Sequence, residues 1–130
     1  MAENASTSKP CRIMLCDDAE SFREVLRLTL GARLDIAVVG EAVNGRDAIE
    51  QVANLRPDLL LLDISMPVMT GLEALPHIRT ASPDTAVFMV TGFAAEGVRE
   101  EAFRLGAVEF LDKTEGLGPI ADAIRKFTQN

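Results

Sequence analysis

A regular alternation of short apolar runs with longer amphipathic runs limits the folds that are open to this chain. The short runs have the length of β-strands, and the longer runs repeat apolar residues at helical spacing. The predicted strands span residues 12–16, 35–40, 58–62, 85–90 and 108–111. The predicted helices span residues 21–32, 45–55, 71–81, 95–105 and 118–127. Five strands that alternate with five helices predict an α/β fold in which helices cover both faces of a parallel sheet.

The length and composition of the chain predict a single domain. Its 130 residues are enough to bury a core, and 48% hydrophobic with 25% charged residues is typical of a globular protein. No internal repeat or linker-like stretch divides the pattern of strands and helices. The polar start, MAENASTSKP, predicts a disordered leader over residues 1–10, followed by one domain over residues 11–130.

Charge and hydropathy exclude several classes of protein. Acidic residues outnumber basic ones by 20 to 13, and the net charge of −7 argues against direct binding of nucleic acid. No apolar stretch has the length of a membrane span, and the leader lacks the apolar core of a signal peptide. Cys11 and Cys16 lie five residues apart on one predicted strand, so they face opposite ways and cannot pair within it. We therefore expect a cytoplasmic protein that contacts no membrane.

The segment LLLLDISMP, residues 59–67, places Asp63 directly after a run of four leucines. A carboxylate in apolar surroundings is costly unless it is paired or binds a metal, so Asp63 needs partners from elsewhere in the chain. Parallel sheets of this kind bind ligands beyond the carboxyl ends of their strands. The polar residues that follow the predicted strands are Asp17, Asp18, Asp63, Thr91 and Lys113.

Three of these residues converge if the strand order is 2-1-3-4-5, because the first and third strands are then neighbours. Asp17, Asp18 and Asp63 would repel one another without a cation among them, and Mg²⁺ prefers such oxygen ligands. Lys113 would add a second positive charge, and Thr91 a hydrogen bond. A carboxylate nucleophile, a metal ion, an ammonium group and a hydroxyl are together suited to accept a phosphoryl group.

Four short motifs at the strand ends resemble the receiver domains of two-component response regulators. They are CDD after the first strand, DISMPVMTG around Asp63, VTG at the end of the fourth strand and FLDKT at the end of the fifth. The resemblance covers residues 11 to about 127. It implies a flavodoxin-like, doubly wound sheet of order 2-1-3-4-5, a Mg²⁺ or Mn²⁺ ion, and a sensor histidine kinase or phosphotransfer protein as phosphoryl donor.

The resemblance implies metal-site roles for four residues. Asp63 would accept the phosphoryl group and bind the metal. Asp18 would bind the metal directly, and Asp17 would hold a metal-bound water. Ser65 would offer its backbone carbonyl to the metal.

The resemblance also implies residues that respond to phosphorylation. Lys113 would contact the phosphoryl oxygens, and the hydroxyl of Thr91 would move toward them. Phe110 occupies the position of the family's switch aromatic. Ser65 and Phe93 lie two residues beyond Asp63 and Thr91, where side chains orient or block the hydrolytic water. Because Phe93 is large and apolar, we expect slow self-dephosphorylation.

The segment GEAVNGRDAIE, residues 40–50, resembles the receivers of NarL/LuxR-type regulators, whose output domains are helix-turn-helix DNA binders. The resemblance implies a signalling switch rather than an enzyme. The switch would control an output domain or effector protein through the fourth helix, fifth strand and fifth helix. The formation of a homodimer on phosphorylation is a further alternative. Thr114 stands where many receivers have proline, which leaves the loop shape after Lys113 open.

Other interpretations of these residues remain. Asp17 and Asp18 are typical helix caps, and Phe93 could pack against the fourth helix instead of facing the pocket. A flavodoxin shares the layout, but Asp17 and Asp18 would repel its phosphate. A phosphatase with an aspartyl intermediate would place its nucleophile and acid two residues apart after the first strand, which residues 16–19 do not provide. A receiver that binds partners without phosphorylation is a further alternative.

Overall fold

Five parallel strands form the central sheet of the computed structural model, which describes residues 9–93 and 95–129. The strands are β1 (Cys11–Cys16), β2 (Ile36–Ala42), β3 (Leu59–Leu62), β4 (Ala86–Thr91) and β5 (Glu109–Asp112). Their order is β2-β1-β3-β4-β5, which confirms the predicted fold class and strand order. Most of the predicted leader, residues 1–8, lies outside the described residues.

Five helices connect and follow these strands. They are α1 (Glu20–Gly31), α2 (Gly45–Leu55), α3 (Gly71–Ala81), α4 (Val98–Arg104) and α5 (Leu117–Thr128), with a short 3-10 turn at Lys113–Glu115. Buried side chains of α1 and α5 pack on one face of the sheet, and those of α2, α3 and α4 pack on the other. No helix in the described part of the chain is long and apolar enough to cross a bilayer.

The four consecutive leucines of β3 are all apolar because helices cover both faces of the sheet. Leu59 and Leu61 face the core beneath α1 and α5, whereas Leu60 and Leu62 face the core beneath α2 and α3. All four are buried, because β3 lies at the centre of the sheet. A central parallel strand is therefore continuously apolar, and the first polar residue after it, Asp63, marks the carboxyl edge of the sheet.

The largest difference from the predicted elements is at α4. The sequence pattern predicts a helix over residues 95–105, but the helix begins at Val98 and ends at Arg104. Gly97 precedes it with φ +88°, a left-handed conformation that cannot be part of an α-helix. The predicted bounds of α2 and α3 match the structure, and the other predicted boundaries differ from it by at most two residues.

Candidate functional site

Three carboxylates meet at the carboxyl edge of the sheet. Asp17 and Asp18 follow β1, and Asp63 follows β3, whose last residue Leu62 pairs in register with Cys16 of β1. One carboxylate oxygen from each of the three residues lies within 4.8 Å of the others. Asp17 and Asp63 are buried and Asp18 is exposed, so the cluster is open to solvent on one side. The structure therefore brings together the three acids that the sequence placed at strand ends.

Lys113 reaches this cluster from the end of β5. Its Nζ atom lies 2.5 Å from Oδ2 of Asp17 and 3.4 Å from Oδ2 of Asp63. The same ammonium group lies 4.5 Å from the centre of the Phe22 ring, a distance typical of a cation–π contact. One ammonium group against three carboxylates leaves an excess of negative charge, and this oxygen donor set fits a hard divalent cation such as Mg²⁺.

The surroundings of Asp63 raise its pKa from 3.8 to about 6. Burial makes the largest contribution, and the neighbouring Asp17 carboxylate adds to it, while Lys113 opposes both. The ionised form of this side chain is therefore costly in the absence of a further positive charge. A cation bound beside Asp63 would stabilise the ionised form.

Asp17 stabilises the Asp17–Asp18 turn through its side chain and its backbone, and neither acid caps α1. The N-cap of α1 is Ala19, and no side chain caps that helix end. Asp17 instead accepts a hydrogen bond from the backbone N–H of Ala19 at 2.9 Å through Oδ1, and its own N–H donates to the carbonyl of Ala42 at 3.0 Å. The capping interpretation of these acids therefore does not describe their geometry.

The loop from Asp63 to α3 contains Ser65, which is exposed. The loop closes at Gly71, whose N–H donates to the carbonyl of Ile64 at 2.9 Å. A Cβ atom on Gly71 would overlap the carbonyl oxygen of Asp63 and lie 2.9 Å from its carbonyl carbon. In the sequence, Gly71 stands out only as the last residue of the motif DISMPVMTG. A glycine directly after the helix N-cap Thr70 is nevertheless a signal of close backbone packing.

Thr91 ends β4, the neighbour of β3, and Phe93 follows it, so both lie at the same carboxyl edge of the sheet as the pocket formed by Asp17, Asp18, Asp63 and Lys113. The hydroxyl of the buried Thr91 donates to the carbonyl of Phe93 at 2.8 Å and accepts from the N–H of Phe93 at 3.3 Å. The Phe93 side chain is 77% exposed. The interpretation of Phe93 as a packing residue against α4 is therefore wrong for this structure.

Phe110 lies on β5, half-buried against the core beneath α3 and α4. The guanidinium carbon of Arg99, on α4, lies 5.8 Å from the centre of the Phe110 ring and 5.2 Å from that of Phe103. The loop after Lys113, left open by the sequence, is the 3-10 turn, in which Asp112 accepts hydrogen bonds from the N–H and hydroxyl of Thr114 at 2.8 and 2.7 Å.

Comparisons with known proteins agree with this geometry. A family profile described as "Response regulator receiver domain" matches residues 13–125. Among curated proteins, a protein-glutamate methylesterase/protein-glutamine glutaminase of Methanosarcina acetivorans is 39% identical over 80% of this chain and 30% of its own length. The response regulator protein VraR of Staphylococcus saprophyticus is 36% identical over 93% of this chain and 58% of its own length.

A solved structure is similar over nearly the whole chain. The signal receiver domain of the putative response regulator NarL from Mycobacterium tuberculosis has a TM-score of 0.85 and 29% identity, and the match covers 94% of this chain and 98% of that one. The two curated relatives are longer than this chain, which spans between about a third and three fifths of their lengths.

Proposed function

This chain belongs to the response regulator receiver family, and from that premise we propose that it is a switch whose Asp63 accepts a phosphoryl group in a Mg²⁺-dependent reaction. The donor would be a sensor histidine kinase or a phosphotransfer protein. The observation that carries the proposal is the convergence of Asp17, Asp18 and Asp63 around Lys113 at the carboxyl edge of the sheet. The proposed function is signalling through the phosphorylated chain, without turnover of a second substrate.

The proposed metal site uses oxygen atoms of the cluster. Asp18 and Asp63 would bind Mg²⁺ through their carboxylates, Ser65 through its backbone carbonyl, and Asp17 through a metal-bound water. When bound, the ion neutralises charge on the carboxylates and on the incoming phosphoryl oxygens. Its ligand set would also accept Mn²⁺, which prefers the same oxygen donors.

The transfer itself needs an ionised Asp63. With a pKa of about 6, its carboxylate is mostly ionised at neutral pH and can act as nucleophile. An Asp63 oxygen forms the new bond to phosphorus, while the bond from phosphorus to the donor nitrogen breaks and its electron pair stays on the donor imidazole. Lys113 is positioned to contact the phosphoryl oxygens, because its ammonium group already lies 3.4 Å from the Asp63 carboxylate.

Labelling with acetyl phosphate tests the proposal directly. We expect intact-mass spectrometry to show one added phosphoryl group in the presence of Mg²⁺ and none with EDTA, and peptide mapping to locate it on Asp63. The adduct should be lost on treatment with hydroxylamine, as for other acyl phosphates. Binding of Mg²⁺ without any labelling would instead support a receiver that acts without phosphorylation.

We further propose that phosphorylation changes the surface of α4, β5 and α5. Thr91 would exchange its hydrogen bonds with the Phe93 backbone for one to the phosphoryl group, and Phe110 would turn toward the vacated space. The proposed element is two-state because the Thr91 hydroxyl, now bonded to the Phe93 backbone, would have the phosphoryl group as its alternative partner. Beryllofluoride, a phosphoryl mimic, is expected to cause its largest amide chemical-shift changes in residues 91–117. Changes confined to the segments around Asp17 and Asp63 would contradict this switch.

A further prediction concerns the lifetime of the phosphorylated state. Phe93 is exposed beside Thr91 and offers no hydrogen bond to a water, and the side chain of Ser65 is too small to block or orient one. Phe93→Glu would supply a base near the pocket, so we expect it to speed phosphoryl loss on the order of tenfold, measured in a single-turnover assay. Phe93→Ala should speed it less, by unblocking the approach alone.

Phe103→Ala is the matched control for the Phe93 variants. Phe103 is also a partly exposed phenylalanine, but it lies within α4 and its ring contacts Arg99. Its replacement should leave the rate of phosphoryl loss unchanged. Equal rates in the parent and both Phe93 variants would show that Phe93 does not control access of water.

A further inference from the structure

Arg23 forms a partly buried connection between the Asp17–Asp18 turn and β2. Its side chain lies on α1 and is only 12% exposed. The Nη1 atom donates to the backbone carbonyl of Asp17 at 2.6 Å, and Nε donates to Oε1 of Glu41 at 2.9 Å. Glu41 is anchored in turn, because it pairs in register with Leu15 of β1 and its other carboxylate oxygen accepts from Arg27 at 2.6 Å.

The carbonyl that Arg23 holds belongs to the peptide between Asp17 and Asp18. Its orientation sets the directions in which both side chains leave the turn. Among the residues that the structure describes, none donates a side-chain hydrogen bond to the carboxylate of Asp18. The position of the Asp18 carboxylate therefore depends on the backbone of the turn, to which Arg23 donates a hydrogen bond.

The identity of Arg23 fits this task. Its planar guanidinium group donates in two fixed directions at once, to a carbonyl and to a carboxylate, which the single ammonium group of lysine does not reproduce. Although burial alone would raise the pKa of Glu41, the hydrogen bonds from Arg27 and Arg23 outweigh it and lower that pKa. Glu41, which accepts the hydrogen bond from Arg23, therefore stays ionised around neutral pH.

We infer that Arg23, held by Glu41, is a positioning residue that orients the Asp17–Asp18 turn for binding of a divalent cation. The inference rests on the proposed function for the identity of the metal site. The direction of the change in Mg²⁺ affinity distinguishes positioning from simple electrostatics. Removing a positive charge near a cation site should strengthen metal binding, whereas loss of positioning should weaken metal binding.

The test is the Mg²⁺ affinity of the full chain without any phosphodonor, measured by calorimetry or amide chemical-shift titration. Arg23→Met is expected to raise the Mg²⁺ dissociation constant by about tenfold. Arg23→Lys, which keeps the charge and loses the two-direction contact, should raise it by about threefold or more. In acetyl phosphate labelling, the Mg²⁺ concentration for half-maximal rate should rise in parallel, while the rate at saturating Mg²⁺ stays close to that of the parent.

Arg33→Met is the matched control. Arg33 lies two residues beyond the last residue of α1 and forms an ion pair with Asp35, so its loss changes the net charge equally without affecting a contact of the Asp17–Asp18 turn. We expect its Mg²⁺ dissociation constant to stay within about twofold of the parent value.

The outcomes separate the inference from the proposed function. Unchanged or tighter Mg²⁺ binding in folded Arg23→Met would overturn the positioning role, and Arg23→Lys decides the matter if the methionine variant does not fold. A parent chain that binds Mg²⁺ but accepts no phosphoryl group would overturn the proposed function alone, since the affinities still report on Arg23. A parent chain that binds no Mg²⁺ would overturn both.

Discussion

Asp63→Asn is expected to abolish phosphoryl labelling and, without Mg²⁺, to raise the free energy of unfolding at neutral pH by about 1–3 kcal/mol. The amide keeps the shape of the side chain but is not a nucleophile, so no acyl phosphate can form. The gain in stability follows from the site itself. Asp63 is buried beside Asp17, and these surroundings, more than Lys113 can offset, disfavour its ionised form.

The gain in stability should depend on pH in a defined direction. The pKa of Asp63 is 3.8 as an ordinary aspartate and about 6 in the folded chain. Between these values the folded state keeps a proton that the unfolded state has lost, so the stability of the parent falls as pH rises through this window. The advantage of the variant should therefore be absent below about pH 4 and complete above about pH 6.

Urea unfolding in EDTA at several pH values measures this difference. Added Mg²⁺ should stabilise the parent more than the variant, because the ion favours an ionised carboxylate that the variant lacks. Asp84→Asn is the control, since Asp84 is exposed and precedes the amino end of β4, at the edge of the sheet opposite to Asp63. A variant that is less stable than the parent at neutral pH in EDTA would contradict the view that Asp63 is held in an unfavourable charged state.

The sequence predicted the layers of this fold because a covered parallel strand must be apolar on both sides, as in β3. The strand order came from the resemblance of four motifs and not from hydrophobic periodicity, which does not encode which strands are neighbours. The pattern places the start of α4 too early because Ala95 and Glu96 are good helix formers. Only the left-handed backbone of Gly97 shows where the helix can begin.

The pocket acids could be predicted because each follows an apolar run, a pattern local to the sequence. The residues that support them could not. Arg23 reaches Glu41 across 18 positions, and the Phe22 ring meets Lys113 from the opposite end of the chain. Such contacts arise only when the strands have been placed side by side, so no local pattern distinguishes Arg23 from a solvated arginine of α1.

Gly71 shows the same dependence on the folded structure, because what constrains it is its close approach to the backbone of Asp63. Gly71→Ala is expected to lower the free energy of unfolding by about 2–4 kcal/mol, although alanine is the better helix former. The new Cβ atom would overlap the carbonyl oxygen of Asp63, so either the loop or the start of α3 must move. Neither the loop nor the helix start moves freely, since the Gly71 N–H donates a hydrogen bond to the carbonyl of Ile64 and Thr70 forms a capping box with Glu73.

The displaced group is the backbone of Asp63 itself, so function should be lost with stability. We expect Gly71→Ala to label with acetyl phosphate more slowly than the parent, even at a temperature where circular dichroism shows that it is folded. Gly118→Ala is the matched control: Gly118 also lies in the first turn of a helix, but a Cβ atom added there would meet no other atom within 4 Å. That variant should be as stable as the parent or up to about 1 kcal/mol more stable. If the two alanine variants had equal stability and equal labelling rates, the close approach of Gly71 to Asp63 would not constrain the pocket.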